Sequence, residues 1–286
     1  MHAPDPPLKL SVTPLPEQTP MPWETVAQDR VTRDILPQLS EGESLSVMFP
    51  AYNDAHTIGS LVDWSAKILA RVARDYEIIV VNDGSPDQTA AVLADRQQKY
   101  PFLRVVTHEK NGGYGAALRS GFAAASKTYV FYTDGDGQYD PTELVVLLPQ
   151  MVEGVGMVNG YKLKRGDNWV RVVVGRSYHW SAKLLFGLPI RDTDCDFRLM
   201  RREVLESLTL TSNSGSICPE LVFEMNNSKM KIMEAGVHHY PRVSGTSQFF
   251  KPKRIIASLG KLLALWLKLI LWRTGGRILR ALGLRK

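Results

Sequence analysis

Asp134 and Asp136 stand one glycine apart in the stretch Phe131-Tyr-Thr-Asp-Gly-Asp-Gly-Gln-Tyr-Asp-Pro141, and no other residues of the chain are better suited to chemistry. Held at that spacing, two carboxylates can share one divalent cation. Hard oxygen donors that leave coordination positions open suit Mg²⁺ or Mn²⁺ bridging a diphosphate, whereas zinc prefers nitrogen and sulfur. A solvated Asp-Gly turn is the competing reading, because such tripeptides are common turn chemistry. The surroundings must decide. Thr128–Tyr132 is β-branched and aromatic and too short for a helix, which predicts a buried strand delivering the pair to its carboxyl end. Ligands of open α/β sheets bind at that end.

The elements that would position this pair follow a strand–helix rhythm. Ser44–Phe49 is a short apolar run ending in Pro50-Ala-Tyr-Asn-Asp54, and Ile58, Leu61, Val62, Ala66, Leu69 and Ala70 then recur at helical spacing. Tyr76–Val81 runs into Asn82-Asp-Gly-Ser-Pro-Asp87, where Ser85 is suited to cap a helix, Pro86 to open it and Asp87 to sit at its positive end. Phe102–Thr107 is a third strand candidate. Asn111-Gly-Gly-Tyr-Gly115 leads into a helix through Ala116, Ala117, Leu118 and Phe122. Alternating β and α elements with short connections predict an α/β fold with a mostly parallel, twisted sheet covered on both faces.

Taken together, Pro50-Ala-Tyr-Asn-Asp, Asn82-Asp-Gly-Ser-Pro-Asp, Asn111-Gly-Gly-Tyr-Gly-Ala-Ala and Asp134-Gly-Asp-Gly-Gln resemble, in order and spacing, family 2 glycosyltransferases with the Rossmann-like GT-A fold. The match is closest to the dolichyl-phosphate mannosyltransferase-like branch, which moves a hexose from a nucleotide diphosphate to a polyprenyl phosphate. It covers roughly residues 44 to 250. The resemblance implies that Asp83 bonds the nucleotide base or ribose, with Pro50, Ala51, Tyr52 and Asp54 completing that cradle; the family more often has Glu at position 54. It implies that Gly112, Gly113 and Gly115 let backbone approach the nucleotide, that Asp134 faces nucleotide and sugar, that Asp136 faces metal and diphosphate, and that Gln138 helps ligate metal. For Asp83 the plainer role is a helix cap, and for the glycines an ordinary turn.

The same resemblance assigns the acceptor phosphate to basic residues beyond the metal motif. Gly160-Tyr-Lys162 falls where the branch has Gly-Ser-Arg, Arg171 and Arg176 fall at phosphate-binding positions, and Arg242-Val-Ser-Gly-Thr-Ser247 matches Arg-x-x-Gly-x-Ser. Asp192-Thr-Asp-Cys-Asp-Phe-Arg198 replaces Asp-x-Thr-Ser-Gly-Phe-Arg, which retains Arg198 but introduces Asp194 and Asp196. Those carboxylates would either act as general base for a hydroxyl acceptor or organise the neighbouring arginines; the second is favoured. Converging guanidinium groups suit phosphate oxygens. His56, His108, His179, His238 and His239 form no metal-ligand spacing, and Trp169 and Trp180 read as core or interface residues.

Composition agrees with this organisation. A chain of 286 residues with 44% hydrophobic content can bury one substantial core. Cys195 and Cys218, its 2 cysteines, give no disulfide framework and fit a reducing compartment. Met1-His-Ala-Pro-Asp-Pro-Pro lacks the basic and apolar regions of a secretory signal. Residues 1–43 read as a proline-rich extension with a short helix within Trp23–Leu39 and no assigned chemistry, 44–250 as the glycosyltransferase domain, and 251–286 as a basic tail. The net charge of +6 is a tail property, since all 29 acidic residues precede residue 235. Leucines, isoleucines and tryptophans interleave with the basic residues there, which points to an anionic membrane surface rather than nucleic acid. Lys261 and Lys268 break the apolar run, and a central lysine costs roughly 2.5–3.5 kcal/mol in a spanning helix, so an amphipathic helix lying in the membrane interface is expected. A spanning helix, or one packed against the domain or a second subunit in a homo-oligomer, fits the same length.

The expected activity is therefore a metal-dependent, inverting hexosyl transfer from a nucleotide-diphosphate sugar such as GDP-mannose or UDP-hexose to a dolichyl- or undecaprenyl-type phosphate. The expected site is the cytoplasmic face of the membrane, held peripherally. Two alternatives remain: a hydroxyl acceptor, polysaccharide or glycolipid, with an Asp general base, and an inactive nucleotide-sugar-binding membrane adaptor.

Overall fold

Four short apolar segments, three of them buried along most of their length and the edge strand only partly, make the half of the sheet that carries the Asp134-Gly-Asp136 motif. They are β1 (Ser44–Ala51), β2 (Asp75–Asn82), β3 (Leu103–Thr107) and β4 (Tyr129–Thr133), within one or two residues of the expected runs. The computed structural model describes residues 14–163, 183–243 and 260–269. Side chains alternate between two cores, as the pleat requires. Leu45, Val47 and Phe49 of β1 join one core, and Met48 joins the other. The helices α1 (Glu24–Val31), α2 (Ile58–Val72) and α3 (Thr89–Lys99) belong to the N-terminal half, and α4 (Tyr114–Ala124) covers the opposite face with the helix Ile217–Asn227.

The sheet has seven strands in the order β3-β2-β1-β4-β6-β5-β7, the last three being β5 (Val155–Lys162), β6 (Phe197–Arg201) and β7 (Lys231–Val237). It is parallel except at β6, which runs antiparallel to both β4 and β5. The chain moves outward from β1 through β2 to β3 and then crosses back to place β4 on the other side of β1. That reversal is a topological switch point, where the connections leave in opposite directions and open a crevice at the strand ends.

Two expectations are revised and a third gains detail. Helix α3 starts at Thr89 instead of Pro86, because Asp87 Oδ1 takes both the backbone N–H of Thr89 (3.1 Å) and its hydroxyl (2.6 Å), fixing 85–88 as a turn. The described part of the extension, from residue 14, carries the expected short helix as α1 and packs on the domain: Trp23 is 0% exposed and joins the main core, and Thr19 donates its backbone N–H to His56 O at 3.0 Å. The helical residues 260–269 bury Leu262, Leu265 and Leu269 against the second core, while Leu263 and Leu267 face outward. One apolar stripe thus belongs to the domain rather than to lipid. No helix among the described residues is long and apolar enough to cross a membrane.

Candidate active site

The Asp-Gly-Asp loop leaves β4 at the switch point and lies directly on the end of β1. A Cβ on Gly135 would sit 2.5 Å from Pro50 O and 3.2 Å from Asp54 Oδ2, so only glycine allows this approach. Thr57 Oγ1 donates to Gly135 O at 2.7 Å, and Trp23 Nε1 donates to Gly137 O at 2.8 Å. Gln138 accepts the N–H of Tyr240 on its carbonyl at 2.8 Å and returns its side-chain amide to Tyr240 O at 3.0 Å. Its backbone N–H donates to Asp136 Oδ1 at 3.0 Å. The loop is therefore pinned residue by residue.

The two carboxylates differ in their partners. Asp134 Oδ1 accepts the hydroxyl of Tyr114, first residue of α4, at 2.7 Å, and Asp136 Oδ2 pairs with Arg242. Burial, then the charges of Asp196 and Asp136, hold the Asp134 carboxyl well above the ordinary range. Burial also raises Asp136, with Arg242 opposing it. Clustered, partly buried carboxylates of this kind fit a hard divalent cation, whose charge would offset their repulsion. Among the described residues no three His, Cys, Asp or Glu side chains could hold a metal by themselves. A donor set of one or two carboxylates suits Mg²⁺, which keeps waters or substrate phosphates in its remaining positions. Gln138 lies on the loop, its amide nitrogen committed to Tyr240.

On the side expected to take the nucleotide, Pro50 and Ala51 close β1, and Tyr52 is exposed and donates its N–H to Asp54 Oδ2 at 2.9 Å. Asn53 between them adopts a left-handed φ of 62°. Burial, with Asp136 adding to it, pushes Asp54 up to about 7. Asp83 is buried, and its carboxylate is turned to the glycine loop: Oδ1 accepts from Gly112 N at 2.8 Å and from His108 Nδ1 at 2.6 Å, and Oδ2 from Gly113 N at 2.9 Å. As placed, Asp83 fastens the loop and the start of α4 instead of facing an open pocket, and it caps neither end of α3. The glycines serve a protein neighbour too. A Cβ on Gly113 would meet Asn213 O at 2.3 Å, and one on Gly115 would meet Ser212 O at 2.2 Å.

The side expected to take the acceptor is a set of internal pairs. Lys162, at the end of β5, donates its ammonium to Asp194 O at 2.8 Å. Burial alone would lower its pKa, but Asp192 and the other acids nearby outweigh it and hold the pKa above the ordinary value. Arg198, expected to bind phosphate, is 0% exposed and closed in by protein acceptors. It donates to Asn159 Oδ1 at 2.7 Å, to Thr193 O at 2.9 Å and to the hydroxyl of Tyr132, and lies 3.3 Å from Asp196. As placed, Arg198 is a buttress between β4, β5 and the loop before β6. Asp196 Oδ1 also accepts from Tyr132 (3.1 Å) and Cys218 Sγ (3.1 Å). Arg171, Arg176 and Ser247 lie outside the described residues.

Several site residues were not singled out in the sequence. Tyr114 sits inside the Asn111-Gly-Gly-Tyr-Gly115 motif and was there to be read. Thr57, His108 and Trp23 carry no local signal, since each acts on a segment distant in the chain.

Comparison with known proteins agrees with this architecture. Residues 46–209 match the model of "Glycosyl transferase family 2", more than half of the chain. The undecaprenyl-phosphate 4-deoxy-4-formamido-L-arabinose transferase of Enterobacter sp. (strain 638) is 28% identical over 207 residues, 72% of this chain and 62% of that protein. Its counterpart in Serratia proteamaculans (strain 568) is 28% identical over 214 residues, 74% of this chain and 65% of that one. The chain thus spans less than two thirds of the length of these curated relatives. Among solved structures, glucosyl-3-phosphoglycerate synthase from Mycobacterium tuberculosis with Mn²⁺, UDP and glucosyl-3-phosphoglycerate superposes with a TM-score of 0.61 at 21% identity, covering 84% of this chain and 88% of that one. The same enzyme with Mg²⁺ and UDP gives 0.58 at 22%, covering 82% and 80%. The four motifs, the switch-point loop they build and the family match lead to one conclusion: the chain is a glycosyltransferase of family 2 with the GT-A fold.

Proposed function

We propose that the chain transfers a hexose, with inversion, from a nucleoside-diphosphate sugar to a polyprenyl phosphate at a membrane surface. The observation that carries this reading is the Asp134-Gly135-Asp136 loop, immobilised at the switch point on the end of β1. In the proposed mechanism Asp134 and Asp136, with Gln138 beside them, hold Mg²⁺ or Mn²⁺. Bound there, the cation supplies Lewis-acid stabilisation of the charge that collects on the departing diphosphate. Pro50, Ala51, Tyr52 and Asp54 line the nucleotide side, and Asp83 holds that side in shape.

The acceptor is inferred from chemistry and from the relatives. The curated relatives are named for undecaprenyl phosphate. A phosphate monoester, with a second pKa near ~6, is largely dianionic at neutral pH and needs little help from a base. Asp196 is already engaged by Tyr132, Cys218 and Arg198, which disfavours it as a free base for a hydroxyl acceptor. Among the described residues we assign the acceptor phosphate to Arg242 and Lys162, with Arg171, Arg176 and Ser247 assigned to the same task by family resemblance. For the membrane contact, Leu263 and Leu267 form an outward apolar strip on 260–269 with Lys261 and Lys268 along its flank.

The test is direct. Purified protein incubated with a panel of UDP- and GDP-hexoses, a short polyprenyl phosphate and Mn²⁺ should yield a polyprenyl-phosphate hexose, identified by mass, and EDTA should abolish it. Product formed on a sugar hydroxyl instead, or undiminished transfer in EDTA, overturns the proposal. Replacing Leu263 and Leu267 by Ser should weaken flotation with anionic vesicles without removing the leucines that complete the core.

A further inference from the structure

The region that matches the family begins at residue 46, yet residues ahead of it hold the metal-binding loop. Trp23 is fully buried, edge-on to Trp64 of α2 with ring centroids 6.2 Å apart, and its indole N–H ends on the carbonyl of Gly137 at 2.8 Å. Gly137 has a left-handed φ of 75°, and Met21 Sδ lies 2.6 Å from where its Cβ would be. The residue next to Asp136 is thus fixed from both sides by one short stretch of the N-terminal segment. A second tie follows a turn later. Arg30 of α1 reaches Asp140, Thr142 Oγ1 (2.6 Å) and Glu143 Oε1 (3.2 Å) in a buried cluster, where Asp140 also accepts the N–H of Thr142 at 2.9 Å. None of these ties involves a residue of the four sequence motifs other than Gly137.

We infer that the segment before the family domain is a clamp on the metal-binding loop, with Trp23 a positioning residue that sets Asp136 through Gly137. Ligand carboxylates bind well only when their supporting contacts hold them near the productive geometry. The inference rests on the reading of Asp134 and Asp136 as metal ligands, but the tie itself does not, which allows the two to be tested apart.

Trp23→Phe keeps a buried ring and removes the donor. Hydrogen exchange of peptides spanning 134–138, measured in metal-free protein, should become about three- to tenfold faster, the range expected for one lost hydrogen bond, with the melting temperature close to wild type. Mn²⁺ affinity measured by electron paramagnetic resonance in the presence of UDP should weaken by a similar factor. Ile35→Ala, on the same segment but 90% exposed, should change neither. Unchanged exchange in Trp23→Phe overturns the clamp. Faster exchange with unchanged Mn²⁺ affinity overturns the positioning of Asp136. Wild-type protein that takes up no Mn²⁺ with UDP refutes the metal reading, and the exchange experiment still decides the clamp. Should Trp23→Phe fail to fold, Arg30→Lys, which keeps the charge beside Asp140 but loses the fork, is expected to give the same loop exchange phenotype; exchange equal to wild type there overturns the clamp as well.

Discussion

The two sides of the site are built on different bonding rules. On the side proposed for the nucleotide, side chains hold backbone: Asp83 takes the N–H groups of Gly112 and Gly113, Asp54 takes that of Tyr52, and Thr57 and Trp23 donate to carbonyls of the Asp-Gly-Asp loop. On the side proposed for the acceptor, charges mostly hold one another: Arg198 lies against Asp196, Arg242 against Asp136, and Lys162 among Asp192, Asp194 and Asp196. The first pattern makes a cradle whose shape precedes its ligand. The second keeps Arg198 as a closed buttress and, on the proposed reading, leaves Arg242 and Lys162 in pairs that an incoming phosphate would compete for. Preorganisation suits the step in which charge develops, and exchangeable pairs suit an acceptor that arrives already charged.

The sharpest break of this contrast is at Asp136, where the two sides meet. Asp136→Asn replaces a hard anionic donor by an amide and should lower turnover by at least about 10²-fold, comparable to losing one electrostatic stabiliser, while the melting temperature holds. Near-normal product formation by this variant, read by mass spectrometry, would remove the aspartate pair from the chemistry. Next in size is the pair of arginines. Arg198→Ala empties the site of a fully buried guanidinium and leaves the partly buried Asp196 without its cation, which should cost roughly 3–5 kcal/mol in urea unfolding, whereas Arg242→Ala, at a partly exposed pair, should cost under about 1 kcal/mol and instead weaken acceptor binding. Equal stability losses would erase the distinction between buttress and ligand.

Smaller effects test the cradle. Asp83→Ala strands two backbone N–H groups and should cost about 1–3 kcal/mol of stability, with donor affinity falling as a consequence. Calorimetry showing weakened nucleotide-sugar binding at an unchanged unfolding midpoint would instead make Asp83 a direct ligand contact. The smallest expected effect is that of Glu77, a scaffold carboxylate of β2. Burial alone would raise its pKa, but bonds from Arg104, Ser46 and Ser126 prevail and lower it below 4.5 in the folded chain. Its stabilisation is therefore complete above pH 4.5 and fades as pH falls through the lower folded value. The gap in melting temperature between wild type and Glu77→Gln should stay level from neutral pH to about pH 5 and close below it. A gap that widens in acid would contradict the assigned bonds.

The nucleotide side was legible because each of its parts is a contiguous strand followed by its own loop, so periodicity and motif fall in one window. Even there, the start of α3 was misplaced, since the helix-opening look of Ser85-Pro86 is local while the decisive bonds of Asp87 to Thr89 and to Ala55 N are partly tertiary. The acceptor side was harder. Arg198 looks like a phosphate ligand until Tyr132 from β4 and Asn159 from β5 come alongside it. Trp23 offered nothing, because its partner is 114 residues away. Resemblance supplied residue roles that physics alone left open, and burial then separated roles that resemblance had merged.

The antiparallel strand β6 has one more consequence, in the order in which the molecule is made. Strands β1 to β4 can pair among themselves as soon as they leave the ribosome, but β5 has neighbours only in β6 and β7, both still to be synthesised. Until Phe197–Arg201 emerges, the free edge of the nascent sheet is β4 itself, the strand that ends at the aspartate pair. An unpaired edge is a template for unwanted pairing. Translation through the residues between 162 and 197 is therefore the interval in which a half-built sheet is most exposed to association with another chain, and the arrival of one five-residue strand ends it.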